Sequence, residues 1–140
     1  MAKQIKTSIR INANRERIWH ILMDFEKYPE WNPFIKSVSG EVKVGNRIKI
    51  RLQGMTFKPL VLKLEENTEF KWLGHFWIKR LFDGEHRFYL TDNSDGTTNF
   101  EQSESFSGIL VKMFSKSLDN DTKQGFEQMN KELKFLSEKH

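Results

Sequence analysis

"IRINANRERIWHILMDFEKYPEWNPFI", Ile9 to Ile35, passes from alternation to helical spacing to stiff punctuation, and the fold depends on how those three parts join. The first part continues "KQIKTSIRI", in which Ile5, Thr7, Ile9 and Ile11 share one face and Lys6, Ser8 and Arg10 the other, the period of a half-buried strand. In the second part Ile18, Ile21, Leu22 and Phe25 recur at helical spacing, with Asn14 placed to cap the start and an end near Asp24. In the third, Pro29 and Pro33 fix two φ angles and bias Tyr28 and Asn32 away from α geometry, leaving room for one helical turn before a strand begins near Ile35. Tyr28, Trp31 and Phe34 supply the apolar area that would pin such a corner against something larger.

Downstream, alternation returns. "NRIKIRLQ" sets Ile48, Ile50 and Leu52 against Arg47, Lys49 and Arg51, and "KPLVLKLEE" puts Leu60, Leu62 and Leu64 on one face. "FKWLGHF" places Phe70, Trp72, Gly74 and Phe76 on one side, and "EHRFYLTD" and "TTNFEQSESF" flank the hairpin signal "NSDG". These strands predict an antiparallel meander with a basic, wet outer face. From Leu118 a stripe of Leu118, Thr122, Gly125, Phe126, Met129, Leu133 and Leu136 predicts a long closing helix.

The chain has 140 residues, enough for one domain with its own core, and no linker or repeat interrupts residues 1–140. Without cysteine, disulfides and thiolate metal sites are excluded. The beginning "MAKQIKTSIRI" lacks the apolar stretch of a signal peptide and no apolar run approaches membrane-spanning length, so a cytoplasmic location is expected. A net charge of +4, with acidic residues dispersed among the basic ones, argues against nucleic acid as a partner. Twelve Phe and four Trp are more aromatic volume than packing a core this small needs, and large rings line ligand pockets as well as cores.

One strand, a helical pair, a run of antiparallel strands and a long last helix is an α+β order, a curved sheet of six or seven strands gripping one helix. The chain resembles the START-like, or Bet v 1-like, helix-grip superfamily, and within it the small bacterial domains of polyketide cyclase/dehydrase type. The resemblance rests on the opening stretch, on "LFDGEHRFYL" with "GTTNFEQSESFSGIL", and on the closing helix. It implies a hollow between sheet and long helix that takes lipids, isoprenoid quinones or aromatic polyketides. It also implies that the corner at Tyr28–Phe34 buttresses the far end of the long helix. The fold leaves open whether such a protein carries its ligand, transforms it or docks on another protein.

The "NSDG" hairpin gives the sharpest expectation. For Phe88, Leu90, Phe100 and Phe106 to face the hollow together, the hairpin must pair positions whose numbers sum to an even value, most simply Leu90 with Phe100, which sets Phe88 opposite Gln102 and His86 opposite Glu104; a shifted register would remove that last pair. An imidazole and a carboxylate then look into the lumen, a pair suited to proton transfer or to a structural hydrogen bond. Glu85 and Glu101 fall outside by the same parity and are expected to be solvated. The expected ligand-binding set is Leu62, Trp72, Gly74, Phe76, His86, Phe88, Leu90, Phe100, Gln102, Glu104, Phe106, Phe126 and Met129, with His86 and Glu104 the candidate catalytic groups.

The same hairpin brings "WIKRLFD" and "SGILVKMFSK" to one end of the sheet, where Trp77, Ile78, Leu81, Phe82, Ile109, Leu110, Met113 and Phe114 would form an apolar lip among Lys79, Arg80, Lys112 and Lys116. Such a lip suits a ligand entrance or transient docking on an anionic membrane surface or a protein. His20, His75 and the terminal His140 lack partners at metal-ligand spacing, and no phosphate loop or nucleophile elbow occurs, so no metal and no cofactor are expected. The expected function is binding or carriage of a hydrophobic or amphipathic small molecule. A cyclase or dehydratase using His86 and Glu104 is the alternative, and an interaction module docking through the lip is a third.

Overall fold

The structure, a computed structural model, describes residues 2–75, 82–108 and 110–139. Strand β1 (Ala2–Ile11) leads into helix α1 (Arg15–Met23), a 3-10 turn (Phe25–Lys27) and the single-turn α2 (Tyr28–Trp31). Asn14 caps α1 by accepting from Arg17 N at 2.9 Å. At the corner Asn32 Oδ1 accepts from both Phe34 N and Ile35 N at 2.9 Å, so one side chain holds the turn that carries Pro33. The ring of Tyr28 is buried against Phe25 and Trp31, and its hydroxyl donates to Leu22 O at 2.6 Å. Burial pushes that hydroxyl's pKa far above the ordinary tyrosine range.

The strands that follow are β2 (Ile35–Ser39), β3 (Lys49–Leu52), β4 (Met55–Phe57), β5 (Leu60–Glu65), β6 (Glu69–His75), β7 (Asp83–Asp92) and β8 (Thr98–Ser107). They form an antiparallel five-stranded sheet in the order β1-β8-β7-β6-β5 and a three-stranded sheet in the order β2-β3-β4. The expected helix-grip α+β class holds, with the strands divided between two sheets. Pro59 stands at the division, where it has no N–H to give a ladder. The sheets are joined across it by Ile48 N to Pro59 O at 3.0 Å, Val61 N to Asn46 O at 2.9 Å and Gly45 N to Val61 O at 3.0 Å.

In β5 the expected inward face of Leu60, Leu62 and Leu64 is corrected. The register shifts between Val61 and Lys63, so Val61 pairs with Trp72 and is buried, while Leu62 is the extra residue of a bulge and only half-buried. Leu64 is exposed.

The outer face is not simply basic and wet. Lys63, Glu69, Arg87, Glu101 and Lys6 alternate in sign across all five strands: Lys63 meets Glu69 at 2.8 Å, Glu69 meets Arg87, Arg87 meets Glu101 at 3.2 Å and Glu101 meets Lys6 at 3.4 Å. Glu101, expected to be solvated, is a half-buried member of this ladder. Glu69 is buried, which alone would raise its pKa, but hydrogen bonds and charge from Lys63 and Arg87 outweigh burial and hold its carboxyl below the usual range.

The closing helix starts earlier than the apolar stripe indicates, at Val111. It runs as α3 (Val111–Ser117), a π-helical turn (Leu118–Thr122) and α4 (Lys123–Glu138). The π turn rotates the faces before and after it, so Val111 and Leu118 join Ile5, Phe82, Phe106 and Phe126 in one apolar cluster. Met129 and Leu133 join Ile18, Leu22, Phe70, Trp72, Phe88, Leu90 and Phe100 in another. Each fully buried phenylalanine in these clusters contributes roughly 1.5–3 kcal/mol.

The corner supports the middle of the closing helix rather than its far end. Phe34 lies edge-on to Phe126, with ring centroids 5.4 Å apart, and fills the space beside Gly125. The far end is held by α1, where the Arg17 guanidinium donates to Ser137 O, to Leu136 O at 3.2 Å and to Lys139 O at 2.7 Å.

Candidate functional site

The β7–β8 register pairs Leu90 with Phe100, Phe88 with Gln102 and His86 with Glu104, the simplest of the registers that parity allows. Gly96, at φ +88°, closes the hairpin in a conformation that side chains rarely adopt. On the concave face His86 Nδ1 lies 2.8 Å from Glu104 Oε1, and its Nε2 lies 2.9 Å from Gln102 Oε1. The two side chains are 2% and 7% exposed, so the pair faces the interior and not solvent.

Aromatic rings cover the imidazole. Trp72 stacks on it at 4.6 Å and 13°, Phe88 tilts against it at 4.8 Å, and Phe126 meets it edge-on at 5.0 Å. β6 supplies Trp72, β7 supplies His86 and Phe88, β8 supplies Gln102 and Glu104, and α4 supplies Phe126, so sheet and closing helix build the site together.

Sequence reasoning missed two members. Gln102 Nε2 donates to Asn130 Oδ1 at 2.8 Å and to Phe126 O at 3.4 Å. Asn130 Nδ2 donates to Thr7 Oγ1 at 2.9 Å, and the Thr7 hydroxyl donates to Gln102 O at 2.9 Å. All of these groups are buried. Asn130 lies one residue past Met129 in the stripe and was readable as the polar interruption of its inner face; Thr7 was already on the inward face of β1.

The polarity of this relay is fixed by backbone. A carbonyl oxygen only accepts, so Thr7 must donate to Gln102 O and accept from Asn130. Asn130 then turns its Oδ1 to Gln102, which gives its amide hydrogens to Asn130 and Phe126 O and turns its own Oε1 to His86. His86 Nε2 therefore carries hydrogen, and the remaining mobile proton lies between Nδ1 and Glu104 Oε1. Glu104 Oε2 has no donor among the described residues.

One rung further along the sheet, Gly74 pairs with Gly84 and Gly84 with Phe106. Both glycines share the parity of Trp72 and His86 and are buried, so the concave floor beside Glu104 has no side chains over two adjacent strands. Gly84 was legible by the same parity that singled out Gly74.

Phe70, Phe88, Leu90, Phe100 and Met129 are buried in one apolar cluster, and Phe106 and Phe126 in the other. Of the lip, Phe82 is buried edge-on to Phe106, Leu110 is half-buried and Met113 is 74% exposed. Phe76, Trp77, Ile78, Leu81, Ile109 and the Phe114 side chain lie outside the described residues, as does His140. His75 Nδ1 meets Asp83 at 2.7 Å on the opposite face of the sheet from His86. Among the described residues no group of three or more acidic or histidine side chains could hold a metal, and no helix is long and apolar enough to cross a membrane.

Four clefts are lined by described residues, and none of the four includes His86 or Glu104. One, of about 400 Å³, lies between Phe34, Leu52 and Gly125. Another, of about 470 Å³, lies between α1, α2 and the end of α4.

The sequence model of the family described as "Polyketide cyclase / dehydrase and lipid transport" matches residues 2–136. No curated protein sequence matches the chain. Among solved structures, a hypothetical protein from Helicobacter pylori superposes with a TM-score of 0.82 at 15% identity, over 96% of this chain and 88% of that one. A START superfamily protein from Mycobacterium smegmatis gives 0.70 at 21%, over 96% and 97%. A norcoclaurine synthase point mutant from Thalictrum, in complex with a transition-state analogue, gives 0.75 at 11%, over 98% and 94%. At these identities the likeness is one of fold.

Proposed function

The chain belongs to the polyketide cyclase/dehydrase and lipid transport family, and on that premise we propose that it binds or carries a hydrophobic or amphipathic small molecule between its sheet and its closing helix. The observation that carries the reading is the His86–Glu104 pair, buried in an aromatic wall beside the paired glycines Gly74 and Gly84. A buried ion-pairing or hydrogen-bonding pair is costly to maintain in a core and is a weak contributor to stability, which favours a role in orienting a ligand. Area on the aromatic wall would supply affinity, and the pair would supply orientation.

Native mass spectrometry of the freshly purified protein tests this directly: a co-purifying small molecule of a few hundred daltons is expected. A bare protein that also fails to bind fatty acids, quinones and flat aromatics by tryptophan quenching would reject the reading.

The 2.8 Å contact between His86 and Glu104 also favours a second reading, proton transfer in a cyclase or dehydratase. On that reading H86Q and E104Q each abolish turnover while leaving ligand affinity within a few fold. A lost affinity at unchanged turnover per bound ligand would assign the pair to binding alone.

A further inference from the structure

Resting on the ligand-binding reading, we infer that the ligand presents a neutral hydrogen-bond donor, a hydroxyl or phenol, to Glu104 Oε2, with its apolar body over Gly74 and Gly84. The argument follows from the direction of the relay. Its two fixed ends are the backbone carbonyls of Gln102 and Phe126, which force Gln102 Oε1 to accept from His86 Nε2. One mobile proton remains for Nδ1 and Glu104, and at 2.8 Å it lies on the line between Nδ1 and Oε1 whichever atom holds it. Imidazolium with carboxylate and imidazole with carboxylic acid thus leave Oε2 in the same role, an acceptor. A second proton on Oε2 would give the pair net positive charge against Trp72, Phe88 and Phe126, where nothing in the described wall balances it.

Oε2 belongs to a side chain that is 7% exposed, and among the described residues no group donates to it. A carboxylate head would set oxygen against oxygen. A quinone offers only acceptors, whereas its quinol carries the donor. The opposite end of the pair, at Nε2, is closed by Gln102, Asn130 and Thr7, which leaves the end beside Gly74 and Gly84, where neither strand contributes a side chain, for the body.

Three probes that share one flat body separate the head group from the pocket: naphthalene, 2-naphthol and 2-naphthoate, titrated at neutral pH into the full chain and followed by backbone NMR. The expected order is 2-naphthol tightest, by roughly three- to tenfold over naphthalene, with 2-naphthoate roughly tenfold or more weaker than 2-naphthol. Shifts should centre on Gly74, Gly84 and Glu104. E104M should erase the advantage of 2-naphthol. E104Q, whose amide nitrogen can donate to Nδ1 and leave its oxygen outward, should keep it. If E104M does not fold, the order of the three probes on the natural chain decides alone. Equal binding of all three, or 2-naphthoate at least as tight as 2-naphthol, overturns the head-group assignment and leaves the pocket standing. Shifts centred away from Glu104 also overturn it. Binding of none of the three overturns the pocket reading itself.

Discussion

Gly125 sits in the first turns of α4, where alanine would ordinarily be the better residue by roughly 0.5–1 kcal/mol. Here an added Cβ would lie 2.6 Å and 2.9 Å from two ring carbons of Phe34, closer than packed atoms approach. Overpacking of this kind costs roughly 1–3 kcal/mol. The lower part of that range applies because the Phe34 ring borders a cleft of about 400 Å³ into which it can lean. Gly125→Ala should therefore destabilise the protein by about 1 kcal/mol, lowering the melting temperature by about 3 °C for a chain of this size. The decisive comparison is made in the Phe34→Ala background. With the ring gone, only the helix preference remains, and the same substitution should stabilise by roughly 0.5–1 kcal/mol. The two backgrounds thus differ by roughly 1.5–2 kcal/mol, well beyond the additivity expected of independent sites. Urea unfolding of the four proteins of this cycle measures it. A Gly125→Ala effect of the same sign in both backgrounds would refute the claim that Phe34 is what requires glycine.

Glu69→Gln should lower stability by roughly 1–3 kcal/mol near neutral pH, because it leaves Lys63 and Arg87 without their shared buried partner. Since the native carboxyl titrates below its unfolded value, its contribution is present above the ordinary carboxylate range and fades as pH falls through the lowered value. The gap between the two proteins in urea melts should close in acid, and a gap independent of pH would rule out this origin. Thr7→Val removes the donor to Gln102 O and the acceptor for Asn130, for an expected loss of roughly 1–3 kcal/mol, most of it restored by Thr7→Ser. Equal losses for valine and serine would mean that shape, not the hydroxyl, matters there. Arg17→Met should speed amide hydrogen exchange in the last turn of α4 while exchange in β7 and β8 stays nearly unchanged, since Arg17 caps the carbonyls of Leu136, Ser137 and Lys139. Unaltered exchange at Leu136–Glu138 would show the cap to be inert.

What could be read from the chain in advance depended on how many partners each inference needed. The His86–Glu104 pairing required one hairpin and a period of two: parity has only two answers, of which the phenylalanines select one, and the simplest register of that parity, Leu90 with Phe100, is the one formed. Leu62 defeated the same logic, because "LVLKL" is apolar at nearly every position and alternation cannot locate a bulge in it. The charge ladder demanded the registers of five strands at once, so its members looked like ordinary solvated residues one at a time. Asn130 was visible as a polar residue beside the stripe, but its meeting with Gln102 depends on the rotation of α4 about its axis, and the π turn at Leu118–Thr122 sets that rotation without a composition cue of its own. The polarity of the relay lies one step further away, because it is anchored by two carbonyls, Gln102 O and Phe126 O, that every sequence possesses. Residue types can therefore nominate a histidine and an acid for a site. Whether the acid's outward oxygen offers or requests a proton is decided by backbone geometry.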